Sequence, residues 1–260
     1  MKPSAITTFI LTSLISSASI ADSYDANNKT TSDDEWQFLL VFPMIWMPSI
    51  SGTAGDTDGR TNIDIPFSNI VSNLNFGIMG DFYAQKNRWL FGFRTNYLHI
   101  KSDTSATYTP KLPIFPEISA NVDVDATMSL NDFFGGYEVT NGLVLLTGVR
   151  HTYSSFNVGI NINSSPITPI ESTEHQFDWL VGLKYAHYFN QDWGLSLTVD
   201  TNIAGDNDVN RGLNLAGIYR LSELNNIWFG YRYLNLKNES VPTTVDVTQQ
   251  GPMVGWAFSF

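Results

Sequence analysis

From Glu35 to its last residue the chain alternates apolar and polar positions with a period of two, not 3.6. In 88–100 one face carries Trp89, Phe91, Phe93, Thr95 and Tyr97, while the other carries Arg88, Gly92, Arg94 and Asn96. In 193–204, Trp193, Leu195, Leu197, Val199 and Thr201 oppose Gly194, Ser196, Thr198, Asp200 and Asn202. Successive side chains of a strand point to opposite faces, so each such segment is a strand with one greasy side. The pattern predicts ten strands, at 35–47, 75–84, 88–101, 120–139, 143–163, 177–189, 193–204, 209–221, 227–236 and 245–260.

The connections organise these strands. Segments 85–87, 140–142, 190–192 and 222–226 are short turns; 48–74, 102–119, 164–176, 205–208 and 237–244 fall between them, and all but 205–208 are longer. Tight and free connections alternate in this way in barrels whose turns face the periplasm and whose loops face outward. The expectation is therefore an all-β fold, a transmembrane antiparallel up-and-down β-barrel of about ten strands, occupying 35–260. Twelve strands result if 48–74 hides a hairpin, and eight if 205–208 is a bulge. Residues 69–74 read as a helical turn in the first long connection. Ahead of the barrel, 1–21 has Lys2, an apolar stretch and the small pair Ser19 and Ala21, the layout of a signal peptide. Residues 22–34 are polar and acidic without a period, and read as a disordered periplasmic arm.

Alternation alone does not say which face meets lipid. Tryptophans decide for the outside: Trp89, Trp193 and Trp228 follow short turns, Trp36 opens the first strand, and Trp46 and Trp179 fall near the opposite strand ends. Together they sketch two aromatic girdles at membrane interfaces. The polar face combines glycine with Asp81, Arg94, Glu138, Arg150, Asp178, Lys184, Asp200, Arg220 and Arg232. In a narrow barrel these line the lumen, with the glycines making room for facing long side chains and opposite charges pairing.

Composition narrows the classes further. Aromatic residues make up 13% and charged residues 15%, the latter well below the roughly 25% of an average soluble domain. The longest apolar run, 38–47, contains Pro43 and is too short for a spanning helix. A net charge of −11 argues against nucleic acid as a partner. The chain has no cysteine, so disulfides are not what holds it together.

The final residues add a family likeness. Val254, Trp256, Phe258 and Phe260 alternate to the end, and Phe260, Phe258 and Gly255 resemble the C-terminal assembly signal of bacterial outer-membrane barrels. Met253 stands where that signal usually has a polar residue. In architecture the chain from about Trp36 resembles the small outer-membrane barrels of the OmpW and OmpX type, extended to ten strands. It is also similar, around Trp46-Met47-Pro48 and 63–97, to an uncharacterised proteobacterial barrel family, which implies no activity. The resemblance implies the bacterial outer membrane as location, with its lipid, lipopolysaccharide and the barrel-assembly machinery as partners.

Candidate chemistry is sparse. Asp56, Asp58 and Gly59, and again Asp206 and Asp208, are fragments of a calcium loop without its terminal glutamate, so solvated acidic tips that hold divalent cations loosely are the plainer reading. No metal site or cofactor is expected. Asp123 and Asp125 form a D-x-D, but the Asp-x-His that ten-stranded surface proteases pair with it does not occur, and Glu174-His175 has the wrong spacing. His151-Thr152-Tyr153 likewise lacks the serine of a lipid deacylase. His99, His151 and His187 fall on lipid-facing or interfacial positions. These residues point to a non-enzymatic barrel, either a narrow passive pore for small solutes or a structural surface protein. An adhesion or ligand-binding barrel is the alternative, and a rim hydrolase comes last.

Overall fold

The computed structural model describes residues 35–55, 60–108, 118–162, 165–239 and 244–260. The segments read as signal peptide and arm, and the Asp56, Asp58 and Gly59 group, lie outside them. In chain order the elements are β1 (Gln37–Trp46), β2 (Ser49–Gly55), β3 (Arg60–Ile65), α1 (Phe67–Ser72), β4 (Leu74–Lys86), β5 (Trp89–Tyr108), β6 (Ile118–Thr140), β7 (Leu143–Ile162), β8 (Ser165–Tyr188), β9 (Trp193–Gly205), β10 (Val209–Arg220), β11 (Asn225–Asn238) and β12 (Thr244–Ser259). Strands β4 to β12 pair in sequence order, and β1 joins β4 to β12 to close a ten-stranded barrel. Closure removes the sheet edges that hydrocarbon cannot solvate.

The first long connection does contain a hairpin, β2–β3. It stands outside the barrel wall: β2 continues along β12 beyond β1, from Ser49↔Gln250 to Gly55↔Thr244. The wall thus has the ten strands expected, with an added hairpin in place of the twelve-stranded alternative, and α1 overlaps the predicted helical turn. Residues 205–208 are a turn and not a bulge, which removes the eight-stranded alternative. The stretches 102–119 and 164–176, read as loops, are largely strand: β5 runs to Tyr108, β6 starts at Ile118 and β8 at Ser165. Their threonines, valines and isoleucines favour strand. Neither face there is continuously apolar, so the alternation that marks a membrane strand fades.

Strand β1 is the least secured part of the wall. It pairs with β4 only from Gln37↔Gln85 to Val41↔Asp81, and its register with β12 shifts between Val41 and Met44. Pro43, which has no N–H to give a ladder, sits in that shift. The seam is fastened at its lower end by Phe38 and Phe260, which exchange backbone hydrogen bonds of 2.9 and 3.0 Å and stack with ring centroids 5.5 Å apart. Deleting Phe260 is expected to cost roughly 2 kcal/mol through the two lost bonds. Refolding into detergent separates this from recognition by assembly machinery: a defect seen only in cells would assign Phe260 to recognition alone.

Apolar side chains cover the barrel's outside. Phe133, 58% exposed, lies beside Phe93 on the outer wall, and Ile78, Leu183, Val199, Leu215 and Phe229 are likewise exposed. At the lower rim Trp89 packs on Tyr137 and Trp193 on Tyr219, while Trp36 lies against Phe91. Trp179 is exposed toward the other rim. Two of the expected girdle residues are corrections. Trp228 is only 4% exposed and belongs to the interior cluster. A period of two puts it on the same face as Arg232, so the two do not divide between lipid and lumen. Trp46 also turns inward, beneath the Arg232 guanidinium at 5.2 Å, because the irregularity at Phe42-Pro43 reverses the facing of β1. Trp256, exposed on β12 and donating to Asn225 at 3.1 Å, contributes to the outer surface instead.

Candidate functional site: the charged interior

The register of five neighbouring strands sets charges of opposite sign side by side. Asp81 on β4 lies opposite Arg94 on β5, Arg94 opposite Asp132 on β6, Asp132 opposite Arg150 on β7, and Arg150 opposite Asp178 on β8. All five side chains point into the barrel and are buried. From β9 and β11 on the far wall, Asp200 and Arg232 enter the same layer, and both are buried.

Arg150, 1% exposed, is the centre of the network. Its Nε and Nη2 donate to the two Asp132 oxygens at 2.7 and 3.0 Å, Nη2 also reaches Asp200 at 2.9 Å, and Nη1 donates to Asn210 at 2.7 Å. Arg94 Nη2 bridges Asp132 at 2.9 Å and Asp200 at 3.0 Å, with its guanidinium 5.1 Å from the Phe134 ring. Glycines supply the space: a Cβ on Gly212 would lie 2.8 Å from Asp200 Oδ1, and one on Gly92 would lie 2.1 Å from the Phe134 ring. The buried ionic set contains Asp81, Asp132, Asp178 and Asp200 against Arg94, Arg150, Lys184 and Arg232. Equal numbers of each sign remove the net field that draws counterions into a channel.

An apolar layer closes the barrel beneath this belt. Val41, Leu90, Val144, Leu146, Ala216, Ile218, Trp228 and Ala257 are buried in one cluster, with Leu39, Phe134 and Tyr188 against it. Tyr83 joins the two layers, its hydroxyl donating to Asp81 Oδ2 at 3.1 Å. Lys184 lies over the Tyr83 and Trp228 rings at 4.5 and 5.6 Å and donates to Ser196 at 3.1 Å. Glu138 and Arg220 are half-buried near the short turns. Glu138 accepts from Gly142 N–H at 2.7 Å and from Gln85 at 3.2 Å, and Arg220 lies 4.9 Å from the Tyr188 ring.

On the opposite side, the turn 205–208 folds inward. Asn207 donates from its backbone and side chain to Asp178 at 3.0 and 2.7 Å, and Asn210 Nδ2 donates to the same carboxylate at 2.5 Å. Asn202 closes the turn by donating to the Asn207 carbonyl at 2.6 Å. Asp178 therefore takes amide donors where Arg150 is its cross-strand neighbour. Asp206 accepts from Phe177 N–H and Asp208 from Glu239 N–H, so both carboxylates serve backbone.

The rim candidates face away from the interior. Asp125 is held by Lys101 at 3.0 Å and His99 at 2.9 Å; the Lys101 hydrogen bond first, and that of His99 next, keep its carboxyl below the ordinary aspartate range. Asp123 meets Asn161 at 3.5 Å. His151 Nε2 meets His175 Nδ1 at 3.1 Å, and His187 lies between Tyr185 and Phe189. Sequence reading missed Asp132, Tyr83, Asn207 and Asn210. Asp132 shares a face with Glu138 at a period of two, a signal sufficient to find it. The asparagines carry no such signal, because only the inward fold of their turn brings them to Asp178.

A closed antiparallel barrel, apolar outside and ionic within, defines the class of this chain: its fold is that of the small outer-membrane β-barrels. No family model matches the sequence, and no curated protein matches it. Among solved structures, the outer membrane protease OmpT from Escherichia coli matches with a TM-score of 0.58 and 9% identity, over 90% of this chain and 99% of that one. The translocator domain of the autotransporter NalP from Neisseria meningitidis matches with a TM-score of 0.45 and 14% identity, over 93% and 92% of the two chains. At 9% identity the likeness to OmpT is one of fold.

Proposed function

We propose that the chain is a non-enzymatic bacterial outer-membrane protein whose occluded barrel anchors a surface structure, rather than a passive pore. One observation carries this reading: among the described residues the lumen holds a salt-bridged belt of buried side chains on top of a packed apolar layer. Ten-stranded barrels lie near the size at which side chains fill the interior. The apolar exterior supports contact with membrane lipid, and the alternating aromatic C-terminus supports delivery by barrel-assembly machinery. Lipopolysaccharide and loosely held divalent cations are the partners that suit acidic turns such as 206–208. Asp125, engaged by Lys101 and His99, gives a rim hydrolase little to work with.

A surface ligand-binding role is the second reading. Strands β5 to β8 have 20, 23, 20 and 24 residues, about twice the length needed to cross a bilayer, so a tall polar wall rises beyond it. Recording from purified protein in planar bilayers tests the primary reading. Unmodified protein is expected to give no stepwise conductance; regular steps at low voltage would replace the anchor with a pore.

A further inference from the structure

We infer that the charged belt holds one small monovalent anion, of halide size, against Arg232. Three guanidinium groups, those of Arg94, Arg150 and Arg232, line a single polar cavity together with Asp200 and Asn214. Its interior seats no more than one water-sized or halide-sized particle. The ionic groups in its lining are Arg94, Arg150 and Arg232 against Asp200 alone, so guanidinium donors outnumber the carboxylate at the cavity wall.

One of the three guanidinium groups has no ion-pair partner. Asp132 and Asp200 are both engaged by Arg94 and Arg150, and among the described residues no carboxylate pairs with Arg232. Its guanidinium is 5% exposed and has the Trp46 ring on one side at 5.2 Å. Arg94 Nε, in the same lining, is a buried donor without a partner. A buried cation costs free energy unless a counter-charge meets it, and guanidinium donors without acceptors add to that cost. Asp81 accepts from the Tyr83 hydroxyl and lies beyond ion-pair distance of Arg232, and Asp178 is satisfied by amides. A halide accepts hydrogen bonds from several directions at once and suits a site walled by donors and one ring. A phosphate or carboxylate is too large for it.

The test is chloride-35 NMR line broadening with the full folded chain in detergent, titrated with sodium chloride at constant ionic strength set by gluconate. Unmodified protein is expected to give saturable excess broadening in the millimolar range, displaced by bromide, and crystals soaked in bromide should show an anomalous peak beside Arg232. Arg232→Gln should weaken binding at least tenfold, while Arg232→Lys retains it. Should Arg232→Gln fail to fold, Asn214→Leu, which keeps every charge and fills the cavity, is expected to give the same loss. Absence of saturable broadening, or equal broadening in Arg232→Gln and unmodified protein, overturns the inference. Neither result bears on the occluded lumen, which conductance reads separately.

Discussion

Replacing Arg150 with methionine is expected to destabilise the folded barrel by about 3–5 kcal/mol, the range for removing one partner of a buried ion pair. The side chain makes four hydrogen bonds, two to Asp132 and one each to Asp200 and Asn210. Without it, Asp132 keeps only Arg94, and the two carboxylates repel one another in a dry interior. Urea unfolding in detergent micelles, followed by tryptophan fluorescence, measures the loss. Adding Asp132→Asn to the same chain should recover part of it, because the isolated charge then disappears. The two changes should be non-additive by 1 kcal/mol or more, estimated from about the coupling expected of residues in one network. A loss below about 1 kcal/mol, the level of exposed pairs, would mean that water enters the belt freely and would also weaken the case for an occluded lumen.

Phe133→Arg is the second large effect, and it acts on the opposite surface of the same strand. Phe133 follows Asp132 directly, so one side chain points outward while its neighbour is enclosed. It lies four residues above the lower-rim Tyr137 on β6, paired with Phe93, whose ring is 4.7 Å away. An arginine at the bilayer midplane costs about 2–4 kcal/mol in a transmembrane barrel, falling to about 0–1 near the interfaces. Tyr137→Arg at the lower rim is the matched control and should cost much less. Refolding into lipid vesicles with a denaturant titration reads both variants. Equal costs at the two positions would show that the outer face does not sit in hydrocarbon, and the membrane reading would fall with them.

The two experiments probe one division of labour. The strands present apolar side chains outward, and those of the belt present paired charges inward; neither face is stable in the other's surroundings. This explains how a chain without cysteine, and with few charged residues, holds a closed sheet. Backbone pairing removes the edges, and the remaining charges are spent on cross-links between walls. The weakest place follows from the same logic. Strand β1 offers a short ladder on both sides, and Phe38 with Phe260 fastens its end.

Much of this was legible before any coordinates. A period of two, tight turns alternating with long connections, and an aromatic ending define a closed barrel, because side-chain direction in a strand depends only on residue number until a bulge intervenes. Arg94, Arg150, Asp178 and Asp200 could be assigned to the inside for that reason. Trp228 could have been as well, since it shares the parity of Arg232. Trp46 could not, because the irregularity at Phe42-Pro43 reverses the facing of β1 and leaves no mark in the alternation. The upper halves of β5, β6 and β8 were hidden for a different reason: above the membrane no face needs to be continuously apolar.

Tertiary structure alone decided who meets whom. The row Asp81, Arg94, Asp132, Arg150 and Asp178 exists only once five strands adopt one register, and that register depends on the lengths of turns and on the pitch of the closed wall. The meeting of Arg150 with Asp200 and Asn210 requires opposite walls to approach, a distance set by strand number and tilt. Sequence by itself determined which side of each strand is greasy; closure of the ring determined which charges on the other side face one another.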